Sequence, residues 1–195
     1  MKTEKVDRRV KYTKMLLKKS LIELMRENPV SKISVKMLCE YADINRSTFY
    51  AHYTNQYDLL KQLELEVIGE LKKHLTMDVF SRQAPQTIQS MNQILGYISE
   101  NAEIFKILLS INGNSTFYKE IMILAQEKII SDVLSNPDID VRTSEYLQCF
   151  AVTGALSMVQ KWLHDGMIES VEKMSDLASK FLYNGVSAFY PNPSC

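Results

Sequence analysis

Proline and glycine are scarce in this chain, and they stand where helices ought to stop. Five prolines and six glycines are spread over 195 residues. Pro29, Pro85, Pro137 and the pair Pro191 and Pro193 punctuate the chain, as do Gly113 and Gly166. Between these breakers the apolar residues recur at helical spacing. Leu17, Leu21, Leu24 and Asn28 trace one face of a first helix over about residues 8–27. Ser34 is the expected N-cap of a short helix over about 35–42, followed by a third over about 46–52. Asn55, with Asp58 three residues later, forms a capping arrangement that opens a long helix to about residue 75. Further helices are expected near about 86–99, 102–111, 115–134, 141–165 and 171–189. No stretch sustains an alternation of period two, so no sheet is expected and the class is all-α.

Hydrophobic residues make up 46% of the chain and charged residues 24%, a balance suited to a globular protein with a sizeable core. No apolar run approaches the roughly 18–20 residues needed to span a membrane. The basic start, MKTEKVDRRVKYTK, leads into no signal-peptide apolar region. A cytoplasmic protein is therefore expected, without membrane contact. Cys39, Cys149 and Cys195 are odd in number and far apart, which suggests reduced thiols in place of a disulfide framework or zinc site. His52, His74 and His164 are scattered and make no metal set. Neither a metal nor a cofactor is expected. The chain has no Gly-rich phosphate loop, HExxH, nucleophile elbow or CxxC, so an enzyme is not expected.

The net charge of zero conceals a division. Residues 1–53 hold 12 Lys/Arg against 6 Asp/Glu, a balance of +6, whereas residues 54–195 hold 11 against 17, a balance of −6. A basic segment joined to an acidic body is what a chain needs when only one end meets a polyanion.

The stretch SVKMLCEYADINRSTFYAHY, residues 34–53, carries most of the information about what that end does. Two short helices can meet at a steep angle around a tight turn only if certain positions are small or apolar. Cys39 supplies a small buried side chain at the crossing, and Leu38, Ile44 and Phe49 supply apolar anchors around the turn. Asp43 stands where the turn asks for a left-handed residue, a conformation that Asp adopts at lower cost than most residues. Asn45 or Asp43 caps the second helix. That helix turns Phe49 and Tyr53 to the core and presents Arg46, Ser47, Thr48, Tyr50 and His52. Arg46 can meet a guanine edge with two hydrogen bonds. The hydroxyls of Ser47, Thr48 and Tyr50 suit phosphates, and Thr48 also suits a thymine methyl.

Residues from about 8 to 68 resemble the tetracycline-repressor-like (TetR) family of bacterial regulators, with the run INRSTFYAHYTNQYDLL carrying the likeness. Its aromatic-rich end of a recognition helix, short loop and Leu59–Leu60 are similar to the family's signature. The resemblance implies a helix-turn-helix DNA-binding domain over residues 1–54, joined by a long helix to a helical regulatory and dimerisation domain over 55–195. It places DNA contacts on Ser34 and Lys36 at the start of the second helix, and on Arg46, Ser47, Thr48, Tyr50 and His52 of the third. It also implies a homodimer on a (pseudo)palindromic operator and a small-molecule effector of unspecified identity. Asp43 departs from the glycine of many members. Gln56 departs from a lysine, so a phosphate contact there would rest on helix-end N–H groups. The run MVQKWLHDGMIESVEKMSDL, residues 158–177, is similar to the subgroup containing the dihydroxyacetone-kinase activator. That subgroup implies a second reading beside a ligand-responsive repressor: a coactivator of the same fold acting through a protein partner.

In the body, Met174, Leu177, Ala178, Phe181, Leu182, Gly185, Val186 and Phe189 form an apolar stripe on the last helix. Ala151, Gly154, Ala155 and Met158 are small enough, or flexible enough, for a close crossing on the helix before it. Both faces read as core by themselves; the family resemblance makes Ala151, Gly154, Met158, Met174, Leu177, Ala178, Phe181 and Leu182 a dimer interface. Phe80, Met91, Leu95, Phe105, Leu108, Phe117, Ile121, Cys149 and Phe150 form an apolar group that reads as plain core or as a ligand pocket. Trp162 fits either the pocket rim or the interface.

Overall fold

Breakers and caps divide the chain into the helices described by a computed structural model covering residues 2–75, 84–110, 115–133 and 140–187. The elements are α1 (Lys2–Met25), a 3-10 turn (Val30–Lys32), α2 (Val35–Ala42), α3 (Arg46–Tyr50), α4 (Gln56–His74), α5 (Ala84–Glu100), α6 (Ala102–Leu108), α7 (Ser115–Val133), α8 (Val141–His164) and α9 (Val171–Ser187). Among the described residues there is no strand, and the fold is all-α. Gly113, Pro137, Pro191 and Pro193 lie outside the described residues, as do Phe80 and Phe189. Pro85 occupies the first turn of α5, where its missing N–H interrupts no helical bond.

Two helix ends differ from expectation for local reasons. α1 ends at Met25, short of Asn28, whose backbone and side-chain N–H groups both return to the Leu24 carbonyl, at 3.2 and 3.4 Å. Pro29 then sets φ −64° and ψ 151°, an extended step that breaks the path into the next helix. α3 stops at Tyr50, and the chain tightens as the His52 N–H bonds the Phe49 carbonyl at 2.9 Å.

The helices gather into two compact units. The first joins α1, α2, α3 and α4 as far as Val67 with Ile107–Phe117. Within it α1 packs on α2 and α2 on α3. Leu17, Leu21 and Met25 of α1, Leu38 of α2, Phe49 of α3 and Leu59 of α4 are fully buried. Each such side chain is worth about 1.5–3 kcal/mol relative to exposure, so the two short helices are held by the longer ones.

The second unit joins Ile68–Lys106 with the chain from Tyr118 onward. Here α9 packs against both α5 and α8. Leu147, Ala151 and Val152 of α8 form a buried cluster with Met122 and Ala125 of α7. Met91 of α5 and Ala178 of α9 form another, with Leu75, Ile94 and Met158 packed on it. The α8–α9 turn is closed by positive φ at Gly166 (83°) and Met167 (57°), with the Met167 N–H on the Trp162 carbonyl at 2.8 Å. Trp162 is buried, and its indole N–H donates to the Glu169 carbonyl at 2.9 Å. In this chain the tryptophan anchors that turn.

Candidate nucleic-acid interface

The α2–α3 corner is built by three short polar side chains. Ser34 Oγ accepts the Met37 N–H at 3.2 Å and starts α2. Asp43 ends it in the left-handed region, φ 51° and ψ 49°, and the next N–H, of Ile44, returns to the Cys39 carbonyl at 2.9 Å. Asn45 Oδ1 accepts the Ser47 N–H at 3.1 Å and caps α3. Asp43 thus makes the turn and Asn45 the cap, which decides between the two candidates.

Beneath the corner lie Leu38, Cys39, Phe49 and Tyr53, all buried. The Phe49 and Tyr53 rings pack with centroids 5.7 Å apart. Burial pushes the Cys39 thiol pKa up, against a smaller opposing effect of the Arg46 charge and with a smaller reinforcing one from Glu40. Among the described residues the enclosed Tyr53 hydroxyl has no hydrogen-bond partner. Its pKa is pushed up to about 12, first by burial and then by the Glu66 and Asp58 carboxylates.

The outer face is polar and open. Arg46, Ser47 and Tyr50 are exposed, while Thr48, His52 and Gln56 are half-buried. The Tyr50 ring stands edge-on to Phe49, centroids 5.6 Å apart at 88°. Ser34, Lys36, Arg46, Tyr50 and Gln56 line one open cleft of about 410 Å³, together with Ser31, Lys32, Ile33 and Val35. Ser47, Thr48 and His52 lie outside that lining. Ser47 also donates its hydroxyl to Asn45 Oδ1 at 3.2 Å. Lys36 lies 3.7 Å from the Glu40 carboxylate, but both are exposed, so the pair is weak. Among the described residues no carboxylate lies within ion-pair distance of Arg46 or Lys32. Ser31 and Lys32 were not legible as site residues: a single 3-10 turn is too short to show a periodicity.

The start of α4 closes one side of this region. Asn55 Oδ1 accepts the N–H groups of Tyr57 and Asp58 at 2.9 and 3.0 Å. The Tyr57 and Asp58 N–H groups are therefore engaged by the cap, while Gln56 lines the cleft. Asp58 reaches back to Thr54, taking its N–H at 2.9 Å and its hydroxyl at 3.2 Å. These bonds, led by the Thr54 N–H and then the Gln62 side chain, hold the Asp58 pKa below the usual carboxylate value of 3.8 despite a smaller opposing effect of burial.

The residues singled out in the helical body divide by exposure. Phe105, Leu108 and Phe117 are buried and Ile121 is half-buried. Phe105 meets Tyr97 edge-on at 5.8 Å, and Tyr97 stacks on His74 at 5.2 Å. Cys149 and Phe150 do not join an interior: both are exposed, because Leu147, Gln148, Ala151 and Val152 occupy the buried side of α8. Of the expected interface set, Ala151, Met174 and Ala178 are buried within their own unit, and Met158 and Leu177 are half-buried. Gly154 and Phe181 are exposed, and the Leu182 side chain lies outside the described residues. The exposed side of α8 also carries Tyr146.

Residues 86–184 match the TetR family described as "Transcriptional regulator C-terminal region". Over 77 residues the chain is 31% identical to the "Uncharacterized HTH-type transcriptional regulator YxbF" of Bacillus subtilis (strain 168), a stretch covering 39% of this chain and 20% of that protein. The chain therefore spans about a fifth of the length of that curated relative. Among solved structures, a TetR transcriptional regulator from Streptococcus agalactiae is 23% identical with a TM-score of 0.63, covering 92% of this chain and 98% of that one. "Dihydroxyacetone kinase operon activator DhaS" is 20% identical with a TM-score of 0.62, covering 91% and 97%. The regulator FadR from Bacillus subtilis, solved in complex with stearoyl-CoA, is 14% identical with a TM-score of 0.64, covering 88% and 98%.

Proposed function

Because the chain belongs to the TetR family of transcriptional regulators, we infer that it binds duplex DNA through α3 and the start of α2, as a homodimer on a (pseudo)palindromic operator. The observation that carries this reading is the open cleft in which Arg46 and Tyr50 of α3 meet Lys36, Ser34 and Gln56. Arg46 is exposed at the start of α3, and its planar fork suits the paired acceptors of a guanine edge. Lys36, Ser34 and Gln56 suit phosphate oxygens, which fix register without reading sequence. Ser47 and Thr48 extend the contact along α3, and His52 carries it into the turn that follows.

The dimer reading draws on the outer face of α8 and α9. Tyr146, Phe150 and Phe181 are large and exposed, and aromatic residues in that state mark association surfaces. Gly154 lies in α8, and a Cβ there would meet nothing within 4 Å among the described residues. A glycine costs about 1 kcal/mol in a helix interior relative to alanine, so close approach by a second copy gives it a purpose that its own chain does not.

A small apolar or amphipathic effector in the helical body, with Phe105 and Ile121 among its contacts, would lower operator affinity by preferring another state. The protein is then a ligand-responsive repressor. Fluorescence anisotropy on duplexes tiled across the region upstream of its own gene tests the DNA reading, with scrambled duplexes as controls. A sequence-selective complex that Arg46→Ala weakens is expected. Equal, weak binding to every duplex would reject operator recognition and favour the coactivator reading. A reporter driven from the selected site reads the sign of regulation.

A further inference from the structure

One exposed surface of the first unit lies outside the cleft and has no part in the core. The stretch Arg8–Lys19, RRVKYTKMLLKK, contains six cationic residues and no acidic one. On a helix of 3.6 residues per turn, Arg8, Lys11, Tyr12, Met15 and Lys19 share one face. The structure exposes all five. Leu17 and Leu21 lie on the other side and are buried. Among the described residues Lys18 is the basic residue of this stretch that pairs with an acid, the Glu66 carboxylate of α4. Arg8, Lys11 and Lys19 have no carboxylate within ion-pair distance among the described residues.

Three cations along one side of the helix, none with a carboxylate partner among the described residues and with a phenol among them, form a rail that fits a regularly spaced polyanion. A core-forming helix needs no such face, and an ordinary solvated face carries both signs. The rail belongs to the same compact unit as α2 and α3, so a duplex held by the cleft is the polyanion most readily brought to it.

We propose that the Arg8–Lys11–Tyr12–Lys19 face of α1 is a second DNA contact, binding backbone phosphates that flank the bases read by α3. It rests on the DNA reading above and adds affinity without sequence preference.

The test compares the full chain with Arg8→Ala/Lys11→Ala/Lys19→Ala, titrated against the selected duplex, a scrambled duplex and versions extended at both ends. The substitutions are exposed and alanine favours helix; matching circular dichroism and thermal midpoints establish that the variant folds. If they do not match, single substitutions at Lys11 and Lys19 give the same comparison. The expected result is an equal loss of affinity for selected and scrambled duplexes, with the preference between them retained. The slope of log K against log salt should shrink by about 0.9 for each phosphate that the variant no longer neutralises, and the gain from extending the duplex should disappear. An unchanged affinity and slope, while the parent protein binds and prefers its site, would overturn this inference alone. Binding of the parent but not the variant to phosphatidylserine vesicles, with duplex binding unchanged, would assign the face to a membrane surface instead. A parent protein that binds no duplex would overturn both readings.

Discussion

Asp58 accepts the Thr54 backbone N–H at 2.9 Å, tying the first turn of α4 to the loop that leaves α3. The carboxylate is favoured in its charged form, with its pKa held below 3.8. A depressed folded-state pKa contributes stability above the unfolded value, and that contribution is lost as pH falls through the folded value. Asp58→Asn should therefore destabilise the protein at neutral pH, with the difference shrinking as the pH falls below about 4. Urea titrations at a series of pH values check this; a constant difference down to low pH would mean that charge plays no part.

Arg46→Ala should cost about 1–3 kcal/mol of specific binding and relax the preference at one base pair per half-site. Affinities for single-base-pair variants of the operator provide the measurement. An equal loss on all sequences would make Arg46 a phosphate contact.

Phe181→Glu should convert the proposed dimer to a monomer and abolish operator binding. Phe181 is 59% exposed in the single chain, so the substitution leaves the fold intact and reports on association alone. A carboxylate forced unpaired into a dry interface costs about 3–5 kcal/mol. Separate reading heads then lose the two-half-site match. Light scattering reads the outcome; a mutant that stays dimeric and shifts its operator places the interface elsewhere.

Tyr53→Phe should stabilise the protein by about 1 kcal/mol, because it removes a buried hydroxyl that has no partner. The tilted ring contact with Phe49 is kept. A shift of the urea midpoint to higher concentration is expected, and a shift to lower concentration would show that the hydroxyl is satisfied in solution.

The limits of α2 were legible to the residue because Ser34 and Asp43 bracket it with local chemistry that needs no tertiary partner. Of the cleft, Arg46 and Tyr50 were legible from the helix they stand on, and Ser34, Lys36 and Gln56 only through the family resemblance. Ser31 and Lys32 join it through a 3-10 turn that leaves no periodic trace. α8 shows the other limit. Its two sides, one with Leu147 and Ala151 and one with Tyr146 and Phe150, are both apolar, so spacing alone does not say which looks inward. That choice is made by α7, which supplies Met122 and Ala125 to the Leu147 side.

Cys39, 5% exposed under the α2–α3 corner, gives the reading head a gauge of its own opening. A thiol reagent meets the exposed Cys149 directly, but it reaches Cys39 only when the corner parts. Burial disfavours the Cys39 thiolate while the corner stays shut. In a Cys149→Ser/Cys195→Ser background the alkylation rate is therefore the intrinsic thiol rate scaled by the fraction of molecules locally open. A duplex gripped by α3 would hold the corner shut and slow this reaction, so bound and free heads could be distinguished by chemistry at a residue that touches no DNA.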